Sequence, residues 1–142
     1  ATFTTDQISE AEIRGGELTV FALVSDWQLN ANLTVLRPLD VATDNDVRRR
    51  PRRAATVSAD RQLDRFSYGI QVRAQGRSYE DAANNQELSG FALVNLRTSY
   101  AFTPSFSAQL SVKNLFDRNY ETARGFYSEG LTSMLTLVYE PK

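Results

Sequence analysis

The stretch Asn114-Leu115-Phe116-Asp117-Arg118-Asn119-Tyr120 decides the fold, because it joins two strand-like segments at the end of the chain. Residues 106–113 before it and residues 131–139 after it alternate apolar and polar side chains. Such alternation is typical of a β-strand with one apolar and one polar face. The stretch is therefore predicted to begin the connection between the last two strands of a sheet.

The same alternation recurs along the chain from Ile13 onward, with turn signals between the runs. The most regular run lies between Phe66 and Arg77, where aromatic and aliphatic residues face Ser, Gly, Gln and Arg. We identify no convincing helix. The sequence predicts an all-β fold of about seven antiparallel strands, with runs at residues 18–24, 28–35, 55–60, 66–77, 92–102, 106–113 and 131–139.

The connections between these runs alternate between short and long. The short ones, near residues 26, 64 and 104, have about two to four residues, and the long ones, near residues 44, 84 and 122, about seven to twelve. Short periplasmic turns and longer outer loops are typical of membrane barrels. Each run is expected to reach the roughly nine to eleven residues that a tilted strand needs to cross the hydrocarbon. These features predict an antiparallel transmembrane β-barrel segment.

Aromatic residues collect near the short-turn ends of the runs. Rings at that level form an interfacial girdle in membrane barrels, whereas a soluble β-sandwich has no reason to sort its aromatics by strand end. The membrane barrel is therefore favoured over the sandwich. The aromatic residues are Trp27, Phe66, Tyr68, Tyr100, Phe102 and Phe106.

Charged residues inside the runs fall on the face opposite the apolar one. A lipid-facing Arg or Lys at mid-depth would cost about 2–4 kcal/mol, whereas water or a polar plug can satisfy a charge in the lumen of a large barrel. We therefore predict that Glu17, Arg73, Arg97 and Lys113 face the lumen and its plug.

The composition removes several classes of function. The net charge is −1, and the chain contains neither cysteine nor histidine. No disulfide, thiol nucleophile, histidine acid–base pair or usual zinc site is expected. Without a basic balance or interleaved stacking aromatics, no nucleic-acid partner is predicted. No apolar run reaches the roughly 18 residues of a transmembrane helix.

Acidic residues give no sign of catalysis or of a metal. Glu12 and Glu17 would lie on opposite faces of a regular strand, and neither they nor Glu10 belong to a catalytic signature. Acids two residues apart fall well short of a calcium cage. We predict no enzyme, no cofactor and no metal site; the weak candidates for calcium are Asp44 with Asp46 and Glu80 with Asp81.

The quoted stretch carries a resemblance. Asn114, Leu115, Phe116, Asp117 and Tyr120 match the N-L-F-D-x-x-Y signature near the C-terminus of TonB-dependent outer-membrane receptors, which this chain resembles. The residues that follow, Tyr-Glu-Thr-x-x-Gly-aromatic at 120–126, are most similar to the cobalamin receptor branch. Weaker similarities lie at residues 11–17, with the pattern A-x-I-x-G-x-E, and at residues 49–53, with the pattern R-x-P-x-R.

The resemblance implies a fold and a role. The family's barrel has about 22 strands, so these would be its last seven, with residues 1–142 forming the C-terminal part of the barrel and the plug domain absent. Implied partners are the rest of the barrel and the plug, and TonB through the absent plug segment. The implied function is import of cobalamin across the bacterial outer membrane. The alternatives are a ferric siderophore receptor and a small structural or adhesion barrel without transport.

Two features of the chain depart from the family's usual pattern. It ends Tyr139-Glu140-Pro141-Lys142 rather than in an aromatic residue, and Gly130-Leu131 stands where Gly-Arg is common. The N-terminus has no signal-peptide pattern, so a mature protein or a part of a longer one is expected. Seven strands would leave two unpaired edges, for which Phe3 to Ile8 is a candidate eighth strand.

Two further binding predictions concern the outer side. The last outer loop carries candidate ligand-binding residues, since loops on a rigid scaffold commonly carry binding function. These are Arg124, Phe126, Tyr127 and Glu129. The arginine cluster at residues 48–53 could bind lipopolysaccharide phosphates; a solvated strand end with snorkelling arginines is the favoured alternative.

Overall fold

The computed structural model describes residues 10–141. Twelve strands lie within this range. In chain order they are β1 (Ala11–Val24), β2 (Trp27–Asp40), β3 (Asn45–Asp46), β4 (Arg53–Leu63), β5 (Phe66–Gln75), β6 (Ser78–Tyr79), β7 (Glu87–Leu88), β8 (Phe91–Thr103), β9 (Phe106–Lys113), β10 (Glu121–Ala123), β11 (Phe126–Tyr127) and β12 (Thr132–Tyr139).

Seven long strands form one antiparallel sheet in the order β1-β2-β4-β5-β8-β9-β12, with the short strand β3 paired to β2. The predicted all-β fold of seven antiparallel strands is therefore confirmed. Within residues 10–141 the sheet is open, with β1 and β12 as its outer strands. No helix among the described residues could cross a membrane. The candidate strand from Phe3 to Ile8 lies outside the described residues.

The register gives the sheet one apolar and one polar face. Leu33 lies opposite Leu18 and Ala55 in neighbouring strands, and this row belongs to what we call the apolar face. Asn32, one residue away, lies opposite Thr19 and Thr56 on the polar face. Because side chains alternate along a strand, each face continues across all seven long strands.

The apolar face has no covering layer within the described residues. Leu18 is 59% exposed and Leu135 is 66% exposed, although both belong to this face. A soluble sandwich would bury such residues against a second sheet. A sheet that turns this face to lipid leaves it uncovered by protein, as a transmembrane barrel does.

The connections lie at two opposite edges of the sheet. The short-turn edge carries two-residue turns at 25–26, 64–65 and 104–105, in which Ser25 and Asp64 adopt positive φ angles of 56° and 48°. The long-loop edge carries three connections, which we call loop A (41–52), loop B (76–90) and loop C (114–131). The predicted alternation of short and long connections is thus observed.

Two length predictions are wrong. Loops B and C are longer than the expected seven to twelve residues, because each contains a two-stranded hairpin, β6-β7 or β10-β11. Strands β9 and β12 have 8 residues each, fewer than the nine to eleven expected of every run. Strand β9 ends at Lys113 because Asn114 turns the backbone to a φ of 51°.

The aromatic residues gather along the short-turn edge as predicted. Trp27 and Tyr68 meet edge to face with ring centroids 5.6 Å apart, and Tyr68 also lies 5.6 Å from Phe66. Farther along the edge, Phe102 lies 5.0 Å from Tyr100 and 5.3 Å from Phe106. The rings therefore form two contiguous groups at the level where a membrane barrel meets its interface.

Candidate functional site

The four charged residues predicted for the lumen all lie on the polar face. Glu17 lies opposite Thr34, Arg73 opposite Thr56 and Leu93, Arg97 opposite Gly69 and Ser111, and Lys113 opposite Thr132. All four side chains are exposed. Their shared face agrees with the sequence analysis, and the structure distributes them along the sheet rather than bringing them into one cluster.

One of these charges has a partner that sequence reasoning missed. Asp60, Gly69 and Arg97 occupy one row across β4, β5 and β8, and Arg97 forms an ion pair with Asp60 over the glycine. A Cβ at Gly69 would overlap the Asp60 carboxylate and lie 3.0 Å from Arg97 Nε. The missing side chain therefore lets an ion pair reach across an intervening strand.

Neutral polar side chains join neighbouring strands on the same face. Asn32 donates to Thr19 Oγ1 at 3.0 Å, and Asn95 donates to Gln71 Oε1 at 3.1 Å. The hydroxyls of Ser67 and Ser99 lie 2.6 Å apart. These cross-strand bonds give a polar surface that water or a polar protein element can contact.

Asn114, the first residue of the predicted motif at 114–120, organises loop C. It is only 3% exposed. Its side-chain oxygen accepts the Arg118 N–H at 2.9 Å, and its amide nitrogen donates to the carbonyls of Arg118 at 3.0 Å and Glu129 at 3.3 Å. Its own N–H donates to Asn95 Oδ1 at 3.0 Å. The side-chain amide of Asn114 thus holds the start and end of the loop together, and its backbone N–H ties the start of the loop to β8.

Two further motif residues complete this closure. The Asp117 carboxylate accepts the Leu131 N–H at 2.8 Å, just before β12 begins. The Tyr120 ring lies 4.2 Å from the buried ring of Phe91, centroid to centroid. Phe116, by contrast, is 74% exposed. The motif therefore encodes the geometry of a loop that returns the chain to the last strand, and Leu115 anchors it to β8 by donating to the Val94 carbonyl at 2.8 Å.

The predicted ligand-binding residues occupy different parts of loop C. Phe126 and Tyr127 form β11 and are 73% and 79% exposed, while Arg124 precedes the turn at Gly125, whose φ of 78° favours glycine. Glu129 lies below the hairpin, where its carbonyl is held by Asn114. The structure brings the first three together on one hairpin and leaves Glu129 at its base.

Glu80 joins all three loops. Its carboxylate forms an ion pair with Arg49 of loop A, with Arg49 Nε 3.1 Å from both oxygens, and accepts the backbone N–H of Arg124 in loop C at 3.0 Å. The Arg49 guanidinium, followed by the Arg124 N–H, holds the pKa of Glu80 below its ordinary value. Glu80 keeps its charge at neutral pH and fixes the hairpin of loop C against its neighbours.

Loops A and B are joined a second time by Asn84. Its side-chain oxygen accepts the Asp46 N–H at 2.7 Å, and its amide donates to the Asp46 carbonyl at 3.0 Å. The Asp46 carboxylate is engaged by Arg52 at 2.8 Å. Residues 10–141 contain no group of three or more acids, histidines or cysteines that could hold a metal. Three of the candidate calcium acids are engaged by protein groups instead: Asp46 by Arg52, Asp81 by the N–H groups of residues 85 and 86, and Glu80 by Arg49 and Arg124.

Sequence reasoning missed Glu80 and Asn84 as structural links, because contacts between loops leave no periodic signal. Both lie in a loop of polar residues that is unremarkable in composition. The positive φ of Asn84, 57°, is a conformation that Asn tolerates better than most residues. In the sequence, the presence of Asn in a polar loop indicates a residue that can turn the backbone, but it does not identify the residue that its side chain binds.

An open antiparallel sheet with an uncovered apolar face, a polar face, short turns at one edge and long loops at the other defines a transmembrane β-barrel segment. Comparison with known proteins gives the family. The family described as "TonB dependent receptor-like, beta-barrel" matches residues 1–115, and the chain belongs to it.

Three relatives illustrate the range of the similarity. The vitamin B12 transporter BtuB of Photobacterium profundum is 26% identical over 133 residues, covering 94% of this chain and 22% of that protein. The siderophore receptor PiuA from Acinetobacter baumannii has a TM-score of 0.82 at 19% identity, covering 91% of this chain and 22% of that one. The ferripyoverdine receptor of the outer membrane of Pseudomonas aeruginosa has a TM-score of 0.77 at 24% identity, covering 91% and 19%.

These comparisons confirm the predicted family and fold. The relatives are receptors and transporters, so the prediction that the chain is not an enzyme is also confirmed. The chain spans about a fifth of the length of the relatives it matches. The cobalamin branch stays a prediction, because the similarity to a vitamin B12 transporter is modest and the two solved structures named above are siderophore receptors.

Proposed function

We propose that this chain forms seven adjoining strands and three outer loops of a TonB-dependent receptor that imports cobalamin across the bacterial outer membrane. The remaining barrel strands and the plug belong to the same parent chain or to a partner chain. TonB acts on the plug segment, which lies outside residues 1–142. No bond is made or broken in this role, which consists of ligand binding and passage.

The two faces support an orientation. The uncovered apolar face suits lipid, and the polar face suits a lumen in which Glu17, Arg73, Arg97 and Lys113 meet water or the plug. The hydroxyl and amide groups between these charges can exchange hydrogen bonds with a polar plug when it moves. The longer connections, loops A to C, lie outside the cell, and the two-residue turns lie in the periplasm.

The hairpin of loop C supports a ligand-binding role. Phe126 and Tyr127 present exposed rings beside Arg124, and Glu80 holds this hairpin against loops A and B. A pre-organised aromatic and cationic surface loses little conformational entropy on binding. Glu129 contributes a carboxylate at the base of the same loop.

Cobalamin is favoured over a ferric siderophore by the sequence. The similarity to the cobalamin transporter is carried by sequence over 94% of this chain, and the residues 120–126 follow the pattern of that branch. The siderophore alternative draws on solved structures with 19% and 24% identity, which support the fold alone.

Equilibrium binding to the protein purified from outer membranes tests the choice. We expect saturable binding of cyanocobalamin that a ferric siderophore does not displace. If the protein binds the siderophore and does not bind cobalamin, the alternative function of a ferric siderophore receptor replaces the proposed one. Binding of neither would contradict transport and favour a structural barrel.

Substitution within the hairpin tests the site. Tyr127→Ala is expected to weaken ligand binding by about tenfold, a loss of one well-packed aromatic contact. The matched control is Tyr139→Ala at the opposite edge of the sheet, which should leave ligand affinity unchanged. If both variants bind the ligand with equal affinity, the β10-β11 hairpin is not part of the binding site.

A further inference from the structure

Three arginines meet on the apolar face where it reaches the long-loop edge. Arg14 of β1 lies directly opposite Arg37 of β2. Arg53, the first residue of β4, lies opposite Val35, the residue two positions before Arg37 on the same face. Diagonal neighbours of this kind are about 7–8 Å apart, which is within reach of long side chains. The strand register therefore places these three arginines at one corner of the outward face.

The charges at this corner do not cancel. Like charges directly opposite each other destabilise an antiparallel pair, as with Arg14 and Arg37. Arg14 forms an ion pair with Glu12, but among residues 10–141 neither Arg37 nor Arg53 forms one. The nearby Asp46 carboxylate is already engaged by Arg52. This corner of the sheet therefore carries a net positive charge, and a bound anion would reduce the repulsion between the arginines.

An exposed apolar surface begins directly below the arginines. Val35, Leu33 and Leu18 belong to the same face and are 45%, 44% and 59% exposed. Gly16 lies between Arg14 and Leu18, and a Cβ placed there would meet nothing within 4 Å. The surface therefore combines three arginines, open space at Gly16 and exposed aliphatic side chains. This combination complements an amphiphile with an anionic headgroup.

We propose that Arg14, Arg37 and Arg53 bind the phosphorylated headgroup of lipopolysaccharide, with its acyl chains on the apolar face below. This inference rests on the proposed outer-membrane location, in which the long-loop edge meets the outer leaflet. Arginine forks match phosphate oxygens bidentately. The site shares only Arg53 with the predicted cluster at residues 48–53, in which Arg49 and Arg52 are engaged by Glu80 and Asp46.

Titration of the purified, delipidated protein with two forms of lipid A tests the site. One form carries its phosphates and the other lacks them. The variant is Arg37→Gln with Arg53→Gln, and the matched control is Arg50→Gln, an exposed arginine of loop A. We expect the double variant to bind phosphorylated lipid A about tenfold more weakly, the loss typical of a charged hydrogen-bonded contact. The control should bind it as the unsubstituted protein does.

Two results would overturn the proposal. Unchanged affinity of the double variant would remove these arginines from the site, and equal loss for both lipids would assign the surface to acyl chains alone. If the double variant does not assemble into a heat-modifiable barrel, each single substitution takes its place and must lower affinity for the phosphorylated form. Cobalamin binding by the same samples separates the two proposals, because it should be the same in the variant and the unsubstituted protein.

Discussion

The two edges of the sheet are held together by different chemistry. At the long-loop edge, Glu80, Asn84 and Asn114 bind backbone groups and charges of neighbouring segments. At the short-turn edge, two-residue turns leave few backbone groups to satisfy, and aromatic rings such as Trp27 and Tyr68 pack against each other. The many backbone N–H and C=O groups of a long connection need hydrogen-bond partners. A two-residue turn has few such groups, so amphipathic rings can occupy that edge of the sheet. The comparison predicts different consequences when each edge is altered.

Asn114→Ala should have the largest effect, because it removes several bonds of one buried amide and leaves the N–H of Arg118 without its acceptor. We expect the free energy of unfolding in detergent to fall by about 2–3 kcal/mol. Denaturant titration measures it. Asn119→Ala, an exposed neighbour in the same loop, should change it by less than about 0.5 kcal/mol. Similar losses for both would contradict the role of the buried amide.

Gly69→Ala should come next, since the new methyl group would overlap Asp60 and separate it from Arg97. Overpacking of this kind costs about 1–3 kcal/mol, and because the ion pair is partly exposed we expect the lower end. The matched control is Gly16→Ala on the other face, which has open space and should be nearly neutral. If Gly69→Ala leaves the free energy of unfolding unchanged in the same titration, the row formed by Asp60, Gly69 and Arg97 tolerates a side chain at its centre.

Trp27→Leu should have a smaller effect, because it keeps an apolar side chain while losing the edge-to-face contact with Tyr68 and the stacking of Arg61 at 5.7 Å. We expect a loss of about 1 kcal/mol. Leu29→Ile, farther from the edge on the same strand and face, is the control. An unchanged free energy of unfolding for Trp27→Leu would argue against the aromatic groups as a source of stability.

Glu80→Gln should have the smallest global effect and a clear local one. The depressed pKa of Glu80 means that the link between loops is present above the ordinary glutamate value of 4.5 and is lost as pH falls through the lowered folded value. Hydrogen exchange, corrected for intrinsic rates, should show the Arg124 amide losing protection in this acid range, and at neutral pH in the variant. Glu87→Gln, whose pair with Arg77 is exposed, should leave it protected.

The sequence predicts the parts of the fold that repeat. Period-two alternation is sufficient for the seven long strands and for the shared face of Glu17, Arg73, Arg97 and Lys113. It also places the turn at Asp64. These features follow from local rules, in which each side chain alternates across the strand and short turns use residues that tolerate positive φ.

The parts that the sequence does not predict depend on contacts between distant segments. Phe91 begins β8 on the polar face, where Tyr120 of loop C covers it. In the sequence, nothing distinguishes Glu80 from other acidic loop residues. Its role depends on the fold, which brings Arg49 and Arg124 to it. The position of Arg53 on the outward face depends on a register that is fixed only when β2 and β4 pair.

The most direct test of the barrel is the side of the membrane on which each edge lies. Residues 1–142 contain no cysteine, so Asn85→Cys in loop B and Arg65→Cys in a short turn each introduce a single thiol into this part of the protein. A membrane-impermeant maleimide on intact cells should label the loop and not the turn, and both should react after the outer membrane is permeabilised. Equal labelling of both in intact cells, or labelling of the turn alone, would contradict the orientation and the receptor built on it.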